Sequence, residues 1–149
     1  MNTFRYSNPF SSIDLRTAQE KDTWNEWEDA HYEQGFCITE GAVSFSTLTD
    51  CDYEVQIEYS DSESLPCDCL FAVRVPIRSP NKDVCIRGGY TDLDLKLNIV
   101  PQSITFIELG ESRLILRIGA VPCETALLLQ GNARYARECD FTLTAQKQL

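Results

Sequence analysis

The side chains able to do chemistry in this sequence are few and scattered. One histidine, His31, sits in "EDAHYEQ" between Asp29 and Glu33, two Asp-x-Asp pairs (Asp50 with Asp52, Asp92 with Asp94) fall near the ends of alternating stretches, and Cys67 and Cys69 stand together in "PCDCL". Nucleophile triads and one-metal nuclease sites rely on histidine as a general base, and a single histidine on a polar helical stretch reads as a solvated surface residue. The sequence contains no Gly-rich phosphate loop, His-Glu-x-x-His run or Gly-x-Ser-x-Gly elbow. "RGGYTD", Arg87 to Asp92, has adjacent glycines but no lysine and no following helix, and reads as a hairpin turn. Structural zinc wants two to four residues between paired thiolates and a second pair, which Cys67 and Cys69 do not supply. The expectation is a protein that is not an enzyme and needs no cofactor. The Asp-x-Asp pairs keep a second class open, a calcium-dependent ligand- or membrane-binding module, because hard cations take several carboxylate oxygens at once. Against it, Asp94 alternates with Leu93 and Leu95 as the wet face of an ordinary strand.

Charge is distributed unevenly. From Glu20 to Asp68 there are fourteen acids and one base, Lys21, a net of −13; the remainder has nine acids and twelve bases, a net of +3, against −10 for all 149 residues. Such a block repels nucleic-acid phosphates, whose recognition needs lysine and arginine, and attracts a basic protein partner. At 43% hydrophobic and 24% charged residues, the composition is that of an ordinary globule. The length fits one domain spanning residues 1–149. The opening "MNTFRYSNPF" lacks the apolar core of a secretory signal, which predicts a cytoplasmic protein whose seven cysteines are reduced thiols.

The elements that would position these acids follow from periodicity. In "TWNEWEDAHYEQG", Thr23 precedes Glu26 by the capping-box spacing and Gly35 stands at the stop, predicting a helix over about residues 23–34. Trp24 and Trp27 share its apolar stripe, and Glu26, Asp29 and Glu33 share the opposite face. Beyond Gly35 the period falls to two. Strands are predicted over 42–47, 53–59, 70–77, 84–87, 93–99, 104–109, 113–118, 125–130 and 139–145, with a fainter one over 13–17 and "TLTDCD" as a hairpin turn between the first two. Pro76 is expected at an edge or bulge. About nine short strands with one N-terminal helix predict a mainly β fold, a single-domain antiparallel β-sandwich.

Trp27 followed by "GFCITEGAVSF" from Gly35 to Phe45 resembles the competence protein J family, small acidic cytoplasmic inhibitors of a bacterial DNA-entry nuclease. "AVRVPI" at Ala72 to Ile77 and "SITFIELG" at Ser103 to Gly110 are similar to later strands of that family, in the same order. The resemblance implies either such an inhibitor or an immunity protein directed at a related nuclease toxin, forming a 1:1 complex with a basic nuclease and occluding its cleft. From the charge map, the candidate partner-binding residues are Glu26, Asp29, Tyr32 and Glu33 on the helix, Asp50 and Asp52 in the turn, Glu54 and Glu58 on a strand, and Asp61, Glu63 and Asp68 in the following loop. Tyr53 and Tyr59 are further aromatic candidates for that surface. Trp27, by contrast, reads as a core anchor of the helix. Trp27→Ala is therefore expected to lower stability by about 3–5 kcal/mol in a thermal melt, and a variant that keeps its melting temperature but loses its partner would instead place Trp27 in the interface.

Overall fold

Period-two alternation builds almost everything in the described part of the chain. The computed structural model describes residues 2–8, 12–17, 29, 35–39, 41–47, 51–78, 80–88 and 91–131. Within them lie β1 (Asn2–Asn8), β2 (Ser12–Thr17), β3 (Phe36–Ile38), β4 (Ala42–Ser46), β5 (Cys51–Tyr59), β6 (Cys69–Pro76), β7 (Asp83–Gly88), β8 (Thr91–Lys96), β9 (Ser103–Leu109), β10 (Arg113–Gly119) and β11 (Leu127–Gln130). A six-stranded sheet runs β1-β5-β10-β9-β6-β11, and a five-stranded sheet runs β3-β4-β2-β7-β8. Neighbours are antiparallel except β5 and β10, which run parallel.

The sheets bury one face of each against the other. Tyr53, Val55 and Ile57 of β5, Leu114, Leu116 and Ile118 of β10, and Ile104 and Phe106 of β9 meet Ile13, Leu15, Val43, Phe45, Val84 and Ile86 of the second sheet in one apolar cluster. Phe106 stands at its centre, its ring stacked on Phe45 at 4.7 Å and tilted against Phe71 at 6.2 Å. Tyr6 is fully buried and donates its hydroxyl to Ser12 O and Arg87 O, tying β1 to the opposite sheet. Burial, reinforced by the Asp14 carboxylate, raises its pKa and keeps the phenol neutral. On the far side of β2, Asp14 and Arg16 are buried as an ion pair at 2.5 Å.

The sandwich predicted from the sequence is the one found, with additions at the start of the chain. β1 and β3 were not anticipated: β1 carries one fully buried apolar residue, Tyr6, and β3 is three residues long, too short to display a period. β2 is a central strand of its sheet. "TLTDCD" does not close a hairpin, because β4 pairs with β2 and β3 whereas β5 pairs with β1 and β10, so this connection passes between sheets. "RGGYTD" does join a hairpin, with Gly88 opposite Thr91. Pro76 ends β6, beyond the last β11 pair at Arg74, where no ladder amide is needed on that side. The helix over 23–34 and the strand over 139–145 lie outside the described residues, apart from Asp29.

Since Phe106 bridges the two sheets, Phe106→Ala should leave a cavity that neither sheet can collapse into. A loss of about 3–5 kcal/mol in urea unfolding is expected, against a smaller loss for Phe106→Leu, which keeps most of the side-chain volume but gives up the ring contacts with Phe45 and Phe71.

Candidate functional site

Strand order forces a long acidic connection onto the surface of the first sheet. β5 and β6 run parallel with β10 and β9 between them, so the connecting residues 60–68 traverse three strand spacings, about 14 Å. The inner face of the sheet is occupied by the second sheet, and the segment therefore crosses the outer face. Ser60 and Ser62 shape it locally, their hydroxyls accepting from Ser62 N at 3.0 Å and Ser64 N at 3.1 Å. Leu65 packs on a second small apolar cluster of Cys69, Ala72, Ile107, Leu109 and Ile115. This covering explains why β9 and β10 are buried on both faces.

Three arginines hold the crossing segment from below. Arg117 is 6% exposed; its Nη1 donates to Ser62 O and Ser64 O, both at 2.8 Å, and its Nε faces Glu58 Oε2 at 3.4 Å. In register, Glu58, Arg117, Thr105 and Arg74 form one row across β5, β10, β9 and β6. Arg74 donates to Ser103 Oγ, to Val121 O at 3.1 Å and to Asp61 Oδ1 at 3.4 Å, and lies 3.8 Å from Glu63 Oε1. Arg113 pairs with Asp68 at the far end of the segment. Asp61 also accepts from Ala120 N at 3.1 Å and Val121 N at 3.0 Å, which fixes the start of the crossing to the end of β10. Gly119 makes this approach possible: a Cβ there would run into Ser103 Oγ and Asp61 Oδ1.

Of the residues singled out by charge, Asp52 and Glu54 are exposed on β5, and Glu58 shares their face. Glu54 lies opposite Arg113 in register and Glu58 opposite Arg117; since Arg113 and Arg117 reach Asp68 and the crossing segment, all these acids occupy one face. Glu63 keeps 57% and Asp68 43% of its side chain exposed. Asp61 has both oxygens engaged within the molecule and acts as a tether. Asp29 is exposed; Glu26, Tyr32, Glu33 and Asp50 lie outside the described residues. Tyr53 is 1% exposed and belongs to the core, correcting its assignment to the surface, and Tyr59 packs partly against the same core while accepting from Asn98 N at 3.1 Å. The arginines were missed from sequence. Their signal was visible in "RLILRIG", where Arg113 and Arg117 share strand parity with Ile115 and so point away from Leu114, Leu116 and Ile118.

The second Asp-x-Asp pair does come together with a thiol. Cys85, Asp92 and Asp94 have their donor atoms within 4.8 Å of one another, and the Cys85 thiol donates to Asp92 Oδ1 at 3.1 Å. Burial and the two carboxylates push that thiol up to about 12, so it stays protonated at neutral pH. Calcium takes six to eight oxygens and has no use for a thiol, and Asp92 is shared with Arg87 at 3.2 Å; the donor set does not suit the calcium reading. Cys67 is exposed and Cys69 buried, so they do not form a ligand pair. No helix among the described residues is long and apolar enough to cross a membrane.

The family model of competence protein J (ComJ) matches residues 6–106. Among solved structures, the crystal structure of ComJ from Bacillus subtilis, described as an inhibitor of the DNA-degrading activity of NucA, superposes with a TM-score of 0.69 at 15% identity, covering 81% of this chain and 96% of that one. Comparison with curated protein sequences gives no match.

The dependence of Asp61 on Gly119 is directly testable. Gly119→Ala should displace Asp61 from the Ala120 and Val121 amides and crowd Ser103, lowering stability by about 1–3 kcal/mol in urea unfolding, with the loss reduced when it is made in an Asp61→Ala background and the part due to Ser103 remaining.

Proposed function

The chain belongs to the competence protein J family, and from that membership we propose that it inhibits a DNA-degrading nuclease by laying carboxylates over the cleft that holds the DNA phosphates. One observation carries the reading at the level of residues: Asp52, Glu54, Glu58, Glu63 and Asp68 are gathered on the outer face of the six-stranded sheet. A nuclease that grips phosphates presents a basic surface, and a rigid array of carboxylates matches that surface without being a substrate. Inhibition is by occlusion, in a 1:1 complex, in the cytoplasm, with no chemistry contributed by this chain and no direct contact with nucleic acid. The partner is a DNA-entry nuclease or, in the immunity version of the same mechanism, a nuclease toxin. Exposed acids at the rim govern the rate of encounter, and their influence falls as salt screens them.

The test is degradation of plasmid DNA by the NucA-type nuclease of the chain's own host, with Bacillus subtilis NucA as a second probe. Equimolar protein is expected to stop degradation, and association should slow about 10-fold or more between low and high salt. Asp52→Lys with Glu54→Lys should slow association with little change in dissociation; Asp29→Lys with Glu33→Lys tests the predicted helix, and an unchanged rate removes that segment from the contact. Absence of inhibition of either nuclease by the wild-type chain overturns the reading.

A further inference from the structure

We propose that Arg117 is a positioning residue for inhibition: it holds residues 60–68 as a preformed ridge on the outer face of the six-stranded sheet, and the nuclease binds that ridge as a rigid body. The inference rests on the reading above and adds which part of the acidic surface is in contact and what prepares it. Three features carry it. First, the Arg117 guanidinium is buried beneath the segment and donates to two of its backbone carbonyls, Ser62 O and Ser64 O. Those bonds fix the path of the chain independently of any acidic side chain. Second, the segment is anchored along its length by different means: Asp61 on the Ala120 and Val121 amides, Leu65 on the small apolar cluster that includes Ile107 and Ile115, and Asp68 on Arg113. Third, of the three acids of the segment, Asp61, Glu63 and Asp68, the one left most exposed is Glu63, at 57% against 35% and 43%. It lies between Ser62 and Ser64, the two residues whose carbonyls Arg117 holds.

Ordering nine flexible residues on binding would be subtracted from affinity, whereas a segment already ordered loses nothing on that account. The arginines also limit what the acids can do. Glu58 faces Arg117 and Asp68 faces Arg113, so the ridge presents a partly compensated charge, and its contribution lies in shape and lifetime of the complex more than in long-range attraction. Positioning and charge therefore separate experimentally. A lysine at 117 keeps the charge but cannot reproduce a planar fork reaching two carbonyls and a carboxylate.

The experiment compares wild type, Arg117→Lys, Leu65→Ser and Glu63→Gln on the host's NucA-type nuclease, measuring association and dissociation over a salt series, amide hydrogen exchange and thermal melting. Arg117→Lys is expected to lose protection of the amides of residues 62–65 and to dissociate at least 10-fold faster, with its salt dependence of association unchanged. Leu65→Ser, which alters no charge and leaves Arg117 in place, should show the same faster dissociation, and it decides the matter if Arg117→Lys does not fold. Glu63→Gln should flatten the salt dependence while leaving amide protection intact. Wild-type dissociation rates in folded Arg117→Lys and in Leu65→Ser would overturn the inference while the inhibitor reading stands; failure of the wild-type chain itself to bind either nuclease overturns that reading and this inference with it.

Discussion

A guanidinium set into the middle of a sheet face must be matched nearly all round, because an uncompensated buried charge is strongly destabilising. Arg117 meets that requirement with two carbonyls from the chain passing above it and one carboxylate from the strand beside it. The constraint is reciprocal. The connection between β5 and β6 has no secondary structure of its own, and its Ser62 and Ser64 carbonyls find their donor in Arg117. Strand order sends the connection across this face, and the arginine row beneath determines how it lies there.

The same arrangement redistributes the charge that makes the sequence conspicuous. Arg74, Arg113 and Arg117 come from the basic remainder of the chain, and each reaches into the acidic block: Arg74 to Asp61 and Glu63, Arg113 to Asp68, Arg117 to Glu58. The acidic surface is therefore a framework of ion pairs with exposed carboxylates on it. Exposed pairs of this kind add little stability individually. Linked through the buried Arg117 and through Asp61, whose two oxygens hold a backbone turn, they specify a shape.

Much of the sandwich was legible because its strands obey a simple rule. β5 alternates Asp52, Glu54 and Gln56 outward with Tyr53, Val55 and Ile57 inward, and its carboxylate face follows from that alone, although Cys51 and Asp52, read as part of a turn, belong to the strand. β9 and β10 were legible as strands, although both their faces are buried and periodicity by itself gives no orientation there. Three things were hidden. β1 and β3 are too poor in apolar residues or too short to display a period. The connection after β4 looked like a hairpin because Thr, Asp and Asn-like turn chemistry is local, whereas the choice of sheet is made by partners elsewhere, β1 and β10. The arginine partners of the acidic segment lie 13, 45 and 59 residues from the acids they meet, and only strand order reveals which cross-strand row each occupies. Tyr53 was misplaced for the opposite reason: its neighbours are acidic, but strand parity puts it with Val55 and Ile57, inside.

The parallel pairing of β5 with β10 also carries a kinetic consequence. Glu54 aligns with Arg113 and Tyr59 with Ile118, so the chain closes a loop of nearly sixty residues before that ladder can form, and non-local closures of this kind slow the approach to the native state. The hairpin of β9 and β10 is local and can assemble early. Residues 60–68 lie on top of that hairpin and cannot settle until it has joined β5 and β6, which makes the crossing segment among the last parts of the described residues to become native.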